Sequence, residues 1–182
     1  MMNRRICLLA ALALAGCAGR PTLSAHQPDG ALEAGELWAL LPLLNHTDTP
    51  QAALAAETLV EHALRLRGIS RLVRYPAAMG RDGLFEPAER RLVDEAQKWA
   101  QQQGARYGVT GAVEEWRYKV GLDGEPVVGL TLRVLDLKDG RVVWTASGAQ
   151  AGWARDSLAG VAARLLAGLT ETLALRAGGP VR

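Results

Sequence analysis

The feature that most constrains this chain is a change of period at Gly104. Before it, apolar residues recur at helical spacing; after it, they alternate. Residues 107–120, 127–137 and 141–147 therefore read as three consecutive strands. Leu122-Asp123-Gly124-Glu125-Pro126 makes a longer polar turn and Lys138-Asp139-Gly140 a short one, with Gly where a positive φ is wanted, so the strands form an antiparallel meander. In the middle strand Val128, Leu130, Leu132 and Val134 point one way while Thr131 and Arg133 point the other. One face packs and the other is wetter.

The half before Gly104 supplies the rest of the architecture. Residues 37–44 are an apolar run of strand length that reads as buried on both faces. Asn45-His46-Thr47-Asp48 is a loop, Thr49 the expected N-cap, and Pro50 sits in the first helical turn. The helix over 51–67 places Ala52, Ala55, Leu59, Ala63 and Leu66 on one stripe, and Gly68 closes it. A short strand covers 69–75 and residues 77–85 carry no period. Glu86, Pro87 and Glu89 open a second helix with a stripe of Leu92, Ala96, Trp99 and Gln103. After the meander, Leu158, Val161, Ala162, Leu165, Leu166, Leu169 and Leu173 mark a third helix, capped by Asp156 or Ser157. The fold class is thus α/β: a mixed β-sheet with an antiparallel C-terminal meander, packed by three helices. With 49% apolar and 22% charged residues the chain can bury a core, which excludes a wholly disordered one.

The N-terminus sets where that domain works. Met1 to Arg5 is basic, residues 6–15 are apolar, and Leu14-Ala15-Gly16-Cys17 follows. The apolar run is far short of the roughly 20 residues that span a bilayer, so residues 1–16 read as a secretory signal. Without Arg4 and Arg5, the 21 basic residues fall to 19 against 19 acidic ones, which leaves no general pull toward nucleic acid. Residues 17–36 show no period of 2 or 3.6 and are expected to be a flexible tether, 37–176 the single domain, and 177–182 a tail. Such a tether has an r.m.s. span of about 24 Å and an extended limit of roughly 65 Å.

Leu14-Ala15-Gly16-Cys17 resembles the lipobox of bacterial lipoproteins, which implies acylation of Cys17. Three acyl chains at about 0.8 kcal/mol per buried methylene make detachment negligible. Ala18 stands where an inner-membrane retention signal would resemble Asp, so the resemblance implies an outer-membrane anchor facing the periplasm. Cys7 leaves with the signal, so no thiol remains for a disulfide, a metal site or a nucleophile.

Three segments, Leu41 to Thr47, Tyr107 to Val113 and Val134 to Trp144, resemble the periplasmic domains related to the N-terminal domain of TolB. These include curli secretion proteins, lipoprotein activators of penicillin-binding proteins, and PelC-type lipoproteins of Pel polysaccharide export. Asn45 to Gln51, Leu84 to Arg90, Glu115 to Gly121 and Gly152-Trp153 are most similar to the PelC family. The resemblance implies a non-enzymatic outer-membrane lipoprotein in a ring of twelve copies, guiding a cationic amino-sugar exopolysaccharide to an outer-membrane porin. A conduit needs many weak contacts, since a tight pocket would hold the polymer still. The alternative is an activator of a peptidoglycan synthase, for which the tether is short. A curli-type channel would need long membrane-crossing strands, but the meander carries Arg117, Lys119 and Arg133, so a ring on the membrane is expected.

Trp153 is the principal candidate site residue. It follows a stretch without large apolar partners and precedes a helix, and a Trp at a loop tip suits the headgroup level of a bilayer. Its setting alone equally allows Trp153 to fold back on the sheet or pack at a subunit interface; the resemblance implies the membrane contact. Trp38, Trp99, Trp116 and Trp144 lie in strands or on a helix stripe and are expected to pack. Asp123, Glu125, Asp136 and Asp139 are candidates for an acidic polymer-guiding surface once a ring repeats them. An enzyme is not expected, nor any cofactor or metal. His26, His46 and His62 lack ligand spacing, Glu114 and Glu115 alternate to opposite faces, and no nucleophile elbow or phosphate loop occurs.

Overall fold

The computed structural model describes residues 21–76, 86–121 and 124–177. In order they form β1 (Thr22–His26), β2 (Leu32–Glu33), β3 (Trp38–Asn45), α1 (Ala52–Leu66), β4 (Leu72–Arg74), α2 (Glu86–Gln102), β5 (Tyr107–Tyr118), β6 (Pro126–Asp136), β7 (Val142–Ala151), α3 (Leu158–Glu171) and β8 (Leu175–Arg176). Six strands make one mixed sheet in the order β1-β7-β6-β5-β3-β4. β3 is parallel to β4 and β5, and β5, β6, β7 and β1 are antiparallel neighbours. The meander after Gly104 and the α/β class follow the sequence pattern.

β3 is buried on both faces, as its unbroken apolar run requires. Trp38 and Leu40 join the large core under α1 and α3, while Ala39 and Leu41 join a smaller core with Ala96 and Ala100 of α2. Pro42 has no N–H for the ladder, and the β3–β5 register shifts between Leu40 and Leu43. Glu57 of α1 fills the gap: one carboxylate oxygen accepts the Leu43 N–H at 3.0 Å and the other meets Arg74 at 2.8 Å. A carboxylate only 6% exposed is thereby satisfied by a backbone donor and a guanidinium.

Several expectations are corrected. α1 starts at Ala52, and Thr49 is not its cap. Gln51 precedes the helix with φ 60° and no side-chain cap, while the Thr49 hydroxyl donates to the Trp116 carbonyl at 2.6 Å. The α1 stripe is also turned. Ala52 and Ala63 are buried with Ala53, Ala56, Val60 and Leu64, whereas Ala55 and Leu66 face solvent. In so alanine-rich a helix the small residues fit either phase, and Val60 and Leu64 decide it. α2 presents Leu92, Ala96 and Trp99 to the smaller core, with Gln103 exposed. α3 buries the expected stripe, and Ser157 caps it by accepting the Gly160 N–H at 3.1 Å.

The largest correction concerns the tether. Residues 22–26 are not free chain; they form the edge strand β1, paired with β7 from Thr22↔Ala149 to His26↔Thr145. Leu23 lies over two glycines: a Cβ on Gly148 would meet it at 2.6 Å, and one on Gly168 at 3.0 Å. Farther on, Leu32 is buried and β2 pairs with β8. Thr22-Leu23-Ser24-Ala25-His26 does alternate polar with apolar, over a stretch too short to stand out within the polar segment. Among the described residues, no helix is long and apolar enough to cross a membrane.

Candidate functional site at the Trp153 end of the sheet

β3, β5 and β7 end, and β6 and β1 begin, at one end of the sheet. Here β7 stops at Ala151, opposite Val127, and the Gly152 N–H donates to the Pro126 carbonyl at 2.8 Å. Gly152 has no room for a side chain, since a Cβ would stand 2.5 Å from Val161 and 2.8 Å from the Asp156 carboxylate. The next residues form a tight turn around Asp156. Its carboxylate accepts the Trp153 N–H at 2.9 Å and meets Arg164 at 2.8 Å, while its own N–H donates to the Trp153 carbonyl at 2.8 Å. The Trp153 N–H first, and the Arg164 guanidinium with it, hold the Asp156 carboxyl below the ordinary aspartate value. With its backbone fixed, the Trp153 side chain projects outward, 65% exposed. The other four tryptophans pack: Trp38, Trp116 and Trp144 are buried, and Trp99 lies half-buried at right angles to Tyr75.

An open groove of about 580 Å³ lies beside this end, against the sheet. A bulge in β5 shapes it, because the pairing with β6 skips between Val113 and Glu115. The expected alternation of Glu114 and Glu115 to opposite faces is thereby lost. Both line the groove, over Gly129, whose Cβ would lie 3.2 Å from that of Glu115 and 3.6 Å from that of Glu114. Each stands beside a basic group: Glu114 meets His46 at 3.1 Å, and Glu115 meets Arg117 at 2.8 Å. The wall is a braced loop. Asn45 Oδ1 accepts from the Thr47 N–H and hydroxyl, and Asn45 Nδ2 donates to the Thr49 carbonyl. Among the described residues, no group of three or more His, Cys, Asp or Glu side chains could hold a metal ion.

Comparison with solved structures decides the family. A PelC dodecamer from Paraburkholderia phytofirmans is 39% identical, aligns over 86% of this chain and 99% of its own, and superposes with a TM-score of 0.72. The chain belongs to the PelC family. A point variant of the same PelC, in another crystal form, matches at 39% identity and a TM-score of 0.71 over 87% of this chain and 99% of its own. The lipoprotein GNA1162 from Neisseria meningitidis, 16% identical with a TM-score of 0.51 over 75% of this chain and 96% of its own, shares the fold. No protein-family model matches the sequence, and no curated relative matches it significantly.

Among the described residues, the acidic candidates of this PelC-family chain lie apart. Asp136 is buried, 6% exposed; it pairs with Arg106 at 2.6 Å and accepts the Lys138 N–H at 2.9 Å, so it is a structural anion and not a guiding one. Asp139 pairs with Arg141, whose N–H and guanidinium hold the Asp139 carboxyl below its ordinary value. Glu125 pairs with Lys119 at 3.2 Å. It also lies at the other end of β6, roughly 33 Å from the Asp136–Asp139 turn at about 3.3 Å per residue. Asp123 and Cys17 lie outside the described residues. The Glu114–His46 pair and the groove escaped the sequence reading. The one signal was the odd spacing of Val113 and Trp116, both of which belong to the core face.

Proposed function

We propose that this chain is a lipid-anchored outer-membrane lipoprotein that assembles into a ring on the periplasmic face and guides an exopolysaccharide to its export porin. The observation that carries the reading is the 39% identity to a PelC that forms a dodecamer, over 99% of that protein. The N-terminal segment supports it: a basic start, a short apolar run and Cys17 in a lipobox-like context fit acylation and export. In this role the protein is a conduit and not an enzyme. A ring repeats each surface twelvefold, so a cationic amino-sugar polymer passes through many weak contacts, none strong enough to arrest it. Trp153 faces the headgroups of the anchoring leaflet.

The geometry favours this reading over activation of a peptidoglycan synthase. With β1 locked to β7, four residues separate Cys17 from Thr22, too few to reach across the periplasm. Light scattering of the mature chain without lipid should give a dodecamer-sized particle. Export of the polymer should be restored in a deletion strain by the wild type and not by Cys17→Ser. A protein that stays monomeric both in solution and when crosslinked on the membrane overturns the proposal.

A further inference from the structure

Among the described residues, six large apolar side chains are exposed: Leu23, Leu66, Tyr118, Val120, Val142 and Trp153. Tyr118 (49% exposed), Val120 (101%) and Trp153 (65%) stand at one end of the sheet although they come from two separate segments. The backbone ties those segments together. Tyr118 pairs with Pro126, the Lys119 N–H donates to the Glu125 carbonyl at 2.8 Å, and Gly152 donates to Pro126. Tyr118 to Val120 and the loop after β7 therefore lie at the same end, on either side of the start of β6. The chain itself leaves from the same place. Thr22 pairs with Ala149, two residues before the end of β7, and Cys17 is five residues upstream, within roughly 17 Å of chain.

We infer that the β5–β6 tip, through Tyr118 and Val120, is a second contact with the phospholipid headgroup layer, forming one footprint with Trp153 and the anchor. The inference rests on the reading of Cys17 as acylated. Its chemistry suits an interface: two amphipathic rings and an apolar side chain at the level where tyrosine and tryptophan settle. Among the described residues, Arg117 pairs with Glu115 and Lys119 with Glu125, and exposed Arg155 adds a cation beside Trp153. Apolar insertion therefore dominates, with a modest preference for anionic lipid and modest salt dependence. An anchor alone leaves the domain free to tumble on its leash. Two further contacts stand the strands upright, with the Asp139 turn directed away from the bilayer.

The mature chain has no free thiol once Cys17 is acylated, so a single cysteine can report on depth. Val120→Cys and Asp139→Cys, each carrying an environment-sensitive fluorophore, are incorporated as the acylated full-length protein into vesicles of phosphatidylethanolamine and phosphatidylglycerol. At position 120 a nitroxide-labelled lipid should quench several times more strongly than aqueous iodide, and at 139 the order should reverse. Strong iodide quenching at 120 on retained protein overturns the inference and leaves the anchor reading intact. Protection from both quenchers at 120 also overturns it, because a neighbouring copy or another protein then covers the tip. If mass spectrometry finds Cys17 unacylated and the protein is not retained, the anchor reading has failed separately. The lipid-free chain then decides: vesicle binding reduced several-fold by Val120→Ser upholds the tip contact, and no binding by the wild type rejects it.

Discussion

The two ends of the six-stranded sheet solve opposite problems. At the Asp139 end, charges are closed upon one another: Asp136 with Arg106, Asp139 and Asp29 with Arg141, Glu33 with Arg176. At the Trp153 end, polar groups brace the backbone while Tyr118, Val120 and Trp153 stand exposed. Ion pairs occur at both ends, as Asp156 with Arg164 and Glu125 with Lys119 show at the second; what differs is the larger apolar surface left exposed there. Charge pairing alone does not make a sheet end functional; apolar surface held open by rigid backbone is the better marker of a contact.

Four substitutions break or sharpen that contrast. Asp136→Ala should cost the most, about 3 kcal/mol in denaturant unfolding, because it strands the half-buried Arg106 and uncaps the Lys138 N–H. Gly152→Ala should cost about 1–3 kcal/mol, since the new Cβ meets Val161 and the Asp156 carboxylate. Asp156→Asn should lower the thermal midpoint at neutral pH, with a gap from wild type that closes on acidification. The folded carboxyl titrates below its unfolded value, so its stabilisation is present above the unfolded value and lost as pH falls through the folded one. A gap that stays constant from pH 7 to 3 would show that the carboxylate charge is irrelevant. Trp153→Ala should change stability by no more than about 0.5 kcal/mol, because the side chain is exposed, while weakening vesicle contact. A large loss of stability there would mean that Trp153 packs.

Much of the fold was legible because the period of the apolar residues is a direct physical record of which face is buried. β6 and α3 each carry one clear period and β3 an unbroken apolar run, and the structure follows them. Legibility failed where that record is weak or interrupted. In α1 the run of alanines fits two phases, and only Val60 and Leu64 separate them. In β1 five residues make too short a stretch, and what secures it is the space above Gly148 and Gly168, remote in sequence. The β5 bulge defeated strict alternation, so Glu114 and Glu115 were assigned to opposite faces when both meet one groove. Of the candidate site, the setting of Trp153 in the chain left packing equally open, and the family resemblance pointed to the exposure that the structure shows. The ion pairs that neutralise Asp136, Asp139 and Glu125 involve a long-range partner in Arg106 and turn geometry at Lys119 and Arg141, which no spacing discloses.

The pairing of β1 with β7 has a mechanical consequence. Thr22, the β1 residue nearest Cys17 in sequence, begins the strand, which runs away from the Trp153 end alongside β7. Under the proposed anchoring through Cys17, a pull between membrane and domain acts along the strand axis. The rungs from Thr22 to His26 lie across that axis and share the load in shear, yielding together instead of peeling one by one. The leash is fastened in the direction that resists tearing.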